Sequence, residues 1–198
     1  MSLKEKYHHG DLRGALIEAL RQLIERDGPD GFRIAEACRI AGVSTAAPYK
    51  HFADRGDMVR AVALSGMVRL RDQMQQAADS FEPGDPQRLF ALGRAYFTFA
   101  QTEPGMFRMM FGLTEEHKND TELQQVGDSA ERIVEQVVAD QMGLPPDDPE
   151  VRLRAYSLWC VVHGHSFLKL DGKVDSHGPE MESALLALTG RAIITAPR

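Results

Sequence analysis

The side chains best suited to chemistry with a polyanion lie between residues 44 and 55. Ser44, Thr45 and Ala46 are small and let a backbone approach a groove. Tyr49, Lys50 and His51 follow with a phenolic hydroxyl, an ammonium and an imidazole, and Arg55 adds a guanidinium. Such groups reach phosphate oxygens, which fix position, and base edges, which carry sequence information. Tyr49, Lys50 and Arg55 suit phosphates. Thr45, Ala46 and His51 suit base edges, with Ser44 beside them. Packing inside the protein is the competing role for the aromatic residues: Phe52 is expected to be inside and Tyr49 outside, with His51 between the two.

These residues need a rigid carrier. Gly42 can take the positive φ that ends one helix and opens a sharp turn. Ser44 has the side-chain oxygen of an N-cap, with Val43 and Pro48 at hydrophobic-staple positions. Upstream, Ile34, Ala37, Cys38 and Ala41 fall on one helical stripe. A short helix, a glycine turn and a second short helix make a helix-turn-helix.

Over residues 31–59 the run GFRIAEACRIAGVSTAAPYKHFADRGDMV resembles the DNA-binding segment of the tetracycline-repressor (TetR) family of bacterial transcription regulators. The features shared are the Gly42-Val43-Ser44 turn, the aromatic Tyr49, the pair His51-Phe52 and a basic residue, Arg55, opening the next helix. The resemblance implies a regulator of transcription that binds duplex DNA at a palindromic operator as a homodimer and is released by an effector. Three positions depart from the pattern. Pro48 removes one helical hydrogen bond and biases Ala47 away from the α conformation, so a 3₁₀-like or tilted helix start is expected. Arg33 stands where Ser or Thr is usual, leaving the first helix of the pair without its cap. Arg55 replaces Lys and keeps a phosphate contact with a different geometry.

Composition sets the frame. The 198 residues carry a net charge of −6, with 43% hydrophobic and 26% charged residues, ordinary for a soluble globular protein. Residues 1–60 hold 10 Lys and Arg against 9 Asp and Glu, so the acidic excess lies downstream. DNA binding needs a basic face rather than a basic protein. No apolar run is long enough for a membrane span, and Lys4, Glu5, Lys6, His8 and His9 make the N-terminus too polar for a signal peptide. A cytoplasmic location is expected, and Cys38 and Cys160 read as buried free thiols on apolar stripes. No phosphate-binding glycine loop, GxSxG, HExxH or CxxC occurs, so neither an enzyme nor a cofactor is expected. His163 and His165 point about 200° apart on a helix, which argues against a shared metal.

Periodicity predicts an all-α protein of about nine helices. Lys4 to Gly10 reads equally as a DNA-touching arm or a plain tail. Asp11 caps a first helix with Leu16, Ala19, Leu20, Leu23 and Ile24 inward, and Asp27-Gly28-Pro29 stops it. A long fourth helix, capped by Asp54, carries Val59, Ala63, Gly66, Leu70, Met74, Ala77 and Phe81 on its stripe. Asp85-Pro86, Asp120 and Asp148-Pro149 open later helices, with a polar loop over Gly112 to Asn119. The expected division is a three-helix DNA-binding domain, 1–55, joined by the long helix to a helical effector-binding and dimerisation domain, 56–198.

The last two predicted helices, 8 and 9, run from about 149 to 170 and from about 179. Residues 155–170 are apolar nearly all round, which predicts burial on every face, one of them against a second subunit. Met181, Leu185, Leu188 and Ala192 form one seam of helix 9. Trp159, His163 and Gly164, followed by Leu170-Asp171-Gly172, are similar to the WHG-type C-terminal domain of a subset of TetR-like regulators. Tyr96, Phe97, Phe107, Met110, Trp159 and His163 are candidates to line a pocket for a small hydrophobic or aromatic effector, with core packing as the competing role. The rival reading of the whole is a small-molecule-binding or protein-interaction module whose helix-turn-helix does not read DNA. Activation is as compatible with the sequence as repression.

Overall fold

A computed structural model describes residues 11–28, 30–112, 120–174 and 178–196. They form eight α-helices and one 3₁₀ turn, with no strand among the described residues. The helices are α1 (Leu12–Asp27), α2 (Ile34–Ile40), α3 (Arg55–Asp79), α4 (Pro86–Thr102), α5 (Pro104–Phe111), α6 (Thr121–Met142), α7 (Pro149–Leu170) and α8 (Pro179–Thr195). The arm before Asp11, Pro29 and most of the expected polar loop lie outside the described residues. No described helix is long and apolar enough to cross a membrane.

Local chemistry sets most of the boundaries. Asp11, Asp54, Asp85, Asp120 and Asp148 each accept a hydrogen bond from a backbone N–H in the first turn of their helix, satisfying donors that the helix cannot. Pro86 and Pro149 follow two of these caps, where a missing N–H costs nothing. Gly143 closes α6 in the left-handed region, at φ 64°.

The core has two main parts that share α3 and α5. Leu16, Leu20, Leu23 and Ile24 of α1 pack with Ala37 and Cys38 of α2, Phe52, and Met58, Val62 and Ala63 of α3; Met106 and Met109 of α5 close the group. Further along α3, Leu70 and Met74 pack with Leu92, Tyr96 and Phe99 of α4, Phe107 and Met110 of α5, and Val137 of α6. Gly66 is where α3 meets α5: a Cβ there would lie 2.7 Å from the side chains of Met106 and Met110.

Two buried arginines fasten helix ends. Arg88 donates to the Ala78 carbonyl at the end of α3 (3.1 Å) and pairs with Asp140 of α6 (2.5 Å). Arg154 of α7 donates to the carbonyls of Ile193, Ile194 and Ala196, filling acceptors at the end of α8 that no helical N–H reaches.

Three expectations need correction, and a fourth concerns a face that the protomer leaves open. The long-helix stripe holds at Ala63, Gly66, Leu70 and Met74 and also takes in Met58, Ala61, Val62 and Ala78, whereas Val59 and Ala77 are only partly buried and Phe81 lies beyond the helix and is exposed. Spacing found the middle of the stripe; its first turns are widened by packing against α1, α2 and α5. Helix α7 leaves Leu153, Tyr156, Trp159 and Leu168 exposed in the protomer, where the expectation had one face meeting a second subunit. Cys38 is buried, but Cys160 is exposed because it lies on that same open face. The predicted third helix is the 3₁₀ turn Pro48–Lys50 rather than an α-helix.

Candidate functional site

The turn before the 3₁₀ segment is built as its glycine requires. Gly42 sits at φ 69°, and the Val43 N–H reaches back to the Cys38 carbonyl at 2.9 Å. Ser44 caps no helix by its side chain; its carbonyl accepts from the Ala47 N–H at 3.0 Å. Lys50 N–H then bonds Ala47 and His51 N–H bonds Pro48, both spanning three residues. Pro48 explains the change. It has no N–H for an α bond to Ser44, and its ring is buried. Ala47 nonetheless keeps α-helical angles, φ −62° and ψ −40°, against the bias that a following proline imposes.

This short turn still separates two faces. Phe52 is buried with the Arg13 guanidinium over its ring, 5.2 Å from the centroid. Ser44, Thr45, Ala46, Tyr49, Lys50, His51 and Arg55 are all exposed, Tyr49 by 58%. Arg55 lies over the Phe32 ring at 4.5 Å, which steadies its guanidinium at the edge of that surface. Arg33 precedes α2 without a side-chain cap. All seven candidate contact residues are thus exposed, above an underside where Pro48 and Phe52 are buried.

A second site lies in the other half. A cavity of about 230 Å³ opens between α3, α4, α5, α6 and α7. Met67, Leu70 and Met74 form one wall, Met110 and Phe111 a second, and Val126, Gly127, Ala130 and Val134 a third. Tyr96, Ala155, Tyr156, Trp159 and Glu131 complete it. Of the six candidate pocket residues, Tyr96, Met110 and Trp159 line the cavity. Phe107 is fully buried and edge-on to Tyr96, with ring centroids 5.6 Å apart. Phe97 packs on His165 at 4.8 Å. His163 stands behind the wall, with Nδ1 2.8 Å from the Tyr96 hydroxyl.

The wall members that the aromatic pattern did not suggest include Met67 and Met74, one heptad apart on α3, and Val126, Gly127 and Ala130 of α6. Small residues at that spacing leave room, and this was the signal available. The polar centre of the wall is a chain: Trp159 Nε1 donates to the Tyr96 oxygen at 3.3 Å, and that hydroxyl meets His163 Nδ1. Burial pushes the Tyr96 phenol up and the His163 imidazole down, since both charged forms lose water. The Tyr96 oxygen accepts from Trp159, and its own proton has Nδ1 of neutral His163 as acceptor in the tautomer protonated at Nε2.

One element, α5, packs into both parts of the core, with Met106 and Met109 in the first and Phe107 and Met110 in the second. The Glu25 carboxylate of α1 accepts from the N–H groups of Gly105 (2.9 Å) and Met106 (2.8 Å) in the first turn of α5. The other end of α5 carries Met110 and Phe111 into the cavity. Gly105 permits the contact: a Cβ there would stand 2.5 Å from the Ile24 carbonyl oxygen.

The sequence model of the tetracyclin repressor-like C-terminal domain matches residues 89–191, a little over half of the chain. The chain belongs to the tetracycline-repressor family. No curated protein sequence matches it. Among solved structures it resembles a protein with unknown function from Rhodococcus sp. RHA1, at 27% identity and TM-score 0.80, with 96% of this chain and 97% of that one covered. A TetR family transcription regulator from Marinobacter aquaeolei VT8 aligns at 18% identity and TM-score 0.69, covering 92% and 95%. The transcriptional regulator FadR from Bacillus subtilis, in complex with stearoyl-CoA, aligns at 15% identity and TM-score 0.66, covering 94% and 100%. At such identities the last two share the fold. The tetracycline-repressor membership and the all-helical architecture agree with the resemblance read from residues 31–59 and from helices α7 and α8.

Proposed function

We propose that this chain is a transcriptional repressor that binds a palindromic operator in duplex DNA as a homodimer and is released when a small hydrophobic or aromatic effector fills the cavity. It acts by binding and performs no reaction, and a cytoplasmic location belongs with that role. Ser44, Thr45, Ala46, Tyr49, Lys50, His51 and Arg55 would make the DNA contacts, with residues 1–55 as the DNA-binding domain and 56–198 as the effector and dimerisation domain. The observation that carries the reading is α5: its N-terminus is held by Glu25 of the helix behind the DNA-facing turn, and its C-terminal residues line the cavity. An effector that favours a different seat for α5 shifts the whole population away from the DNA-binding arrangement. The family relative that holds stearoyl-CoA supports a role for small-molecule ligands.

The test is a salt-dependent titration of the protein on the DNA upstream of its own gene, beside a Lys50→Ala, Tyr49→Phe double variant. Specific binding that weakens with salt and in the variant supports the reading, because phosphate contacts release counterions. A selection from random duplexes that returns no palindrome would favour a binding module whose helix-turn-helix packs without reading DNA.

A further inference from the structure

The cavity is chemically lopsided, and from its two ends we infer that the effector is an amphiphilic organic cation: an apolar body carrying an amine or quaternary ammonium at one end. The inference rests on the effector reading above. The interior walls are thioether, aliphatic and aromatic, with Met67, Leu70, Met74 and Val134 facing the space. The Tyr96 hydroxyl, 3% exposed as a residue, already donates to His163 and accepts from Trp159. A polar group on the buried part of a ligand would find no partner there and would lose its water without compensation. The body is therefore apolar.

The solvent end differs. Tyr156, Trp159 and Glu131 line the cavity and are exposed. The two rings lie 6.1 Å apart at 64°. The Glu131 carboxylate has no ion pair or hydrogen bond among the described residues. Aromatic faces and a carboxylate both attract a cation. Among the described lining residues there is no Arg, Lys or His. A carboxylate or coenzyme A thioester would bring its anion to Glu131 with no cation among the described lining residues to receive it. An ammonium at the mouth meets complementary groups while its body fills the sulfur-rich interior, whose flexible methionines adapt to shape.

Trp159 is the only tryptophan in the chain, so its fluorescence reports on the mouth of the cavity. The experiment titrates the full-length protein with benzyltrimethylammonium, with its uncharged isostere neopentylbenzene and with 3-phenylpropionate. The cation is expected to bind about tenfold more tightly than the isostere, and the anion most weakly. Glu131→Gln, at an exposed position, is expected to remove most of the cation's advantage and to leave neopentylbenzene unchanged. Equal binding of cation and isostere, an unaltered preference in Glu131→Gln, or tighter binding of the anion overturns the inference while the cavity stands as an effector site. A saturable Trp159 response from none of the three overturns both.

Discussion

At the scale of single residues, the cavity wall depends on one imidazole staying neutral. His163 is half-buried, and burial holds its pKa below the ordinary 6.5. Its Nδ1 also receives the Tyr96 hydroxyl, so protonation there would set two donors against each other. The folded protein binds this proton less readily than the unfolded chain. The contribution is therefore fully present above the unfolded value and is lost as pH falls from about 6.5 through the lower folded value. Urea unfolding at about pH 7.5 and about pH 5.5 checks this. The wild type is expected to lose more stability on acidification than His163→Gln, which keeps an acceptor but does not titrate. Parallel losses would place the acid sensitivity elsewhere. Sequence spacing did put Tyr96, Trp159 and His163 into one neighbourhood. It did not tell which of them faces the void, because that depends on the rotation of α7 against α4 and α6.

At the scale of elements, the caps and turns were legible and the tertiary roles were not. Each Asp cap, the Asp-Pro starts and the Gly42 turn are local chemistry, decided within four residues. Pro48 raised the expectation of a 3₁₀-like start, yet the whole segment became one 3₁₀ turn, since a single missing N–H matters more in three residues than in ten. Nothing in the sequence marked Glu25 as special. Its role appears only because α5 arrives 80 residues later with two unpaired N–H groups. If α5 carries the signal, Glu25→Ala should leave operator affinity within about threefold while cutting effector-induced release about tenfold, a coupling change of the size that packed networks carry. Operator titrations with and without effector measure both. An unchanged release ratio would move the coupling to another contact, such as Arg60 of α3 with Asp120, the cap of α6.

At the scale of the molecule, the apolar pattern on α7 and α8 exceeds what one protomer buries. Leu153 is 59% exposed and Leu188 is 70% exposed, with Leu168 and Met181 about half exposed. On α7, positions 153, 160, 164 and 168 fall four and seven residues apart and share one face, with Tyr156 of the cavity mouth at its edge. The two helices pack on each other, and Arg154 locks the end of α8 to α7, so the open faces move as one rigid unit. A second copy is the partner that the proposed homodimer and palindromic operator both require. A glutamate on the α8 face would bury charge against its own symmetry mate. Leu188→Glu is therefore expected to sediment as a folded monomer. Its affinity for the full palindrome should fall about a hundredfold, towards that of a half-site, because the second module loses its effective concentration. Sedimentation velocity and full-site against half-site titrations give the two readings. A variant that stays dimeric would put the interface on another surface, and one that is monomeric yet binds the palindrome unimpaired would detach DNA recognition from the two-fold axis.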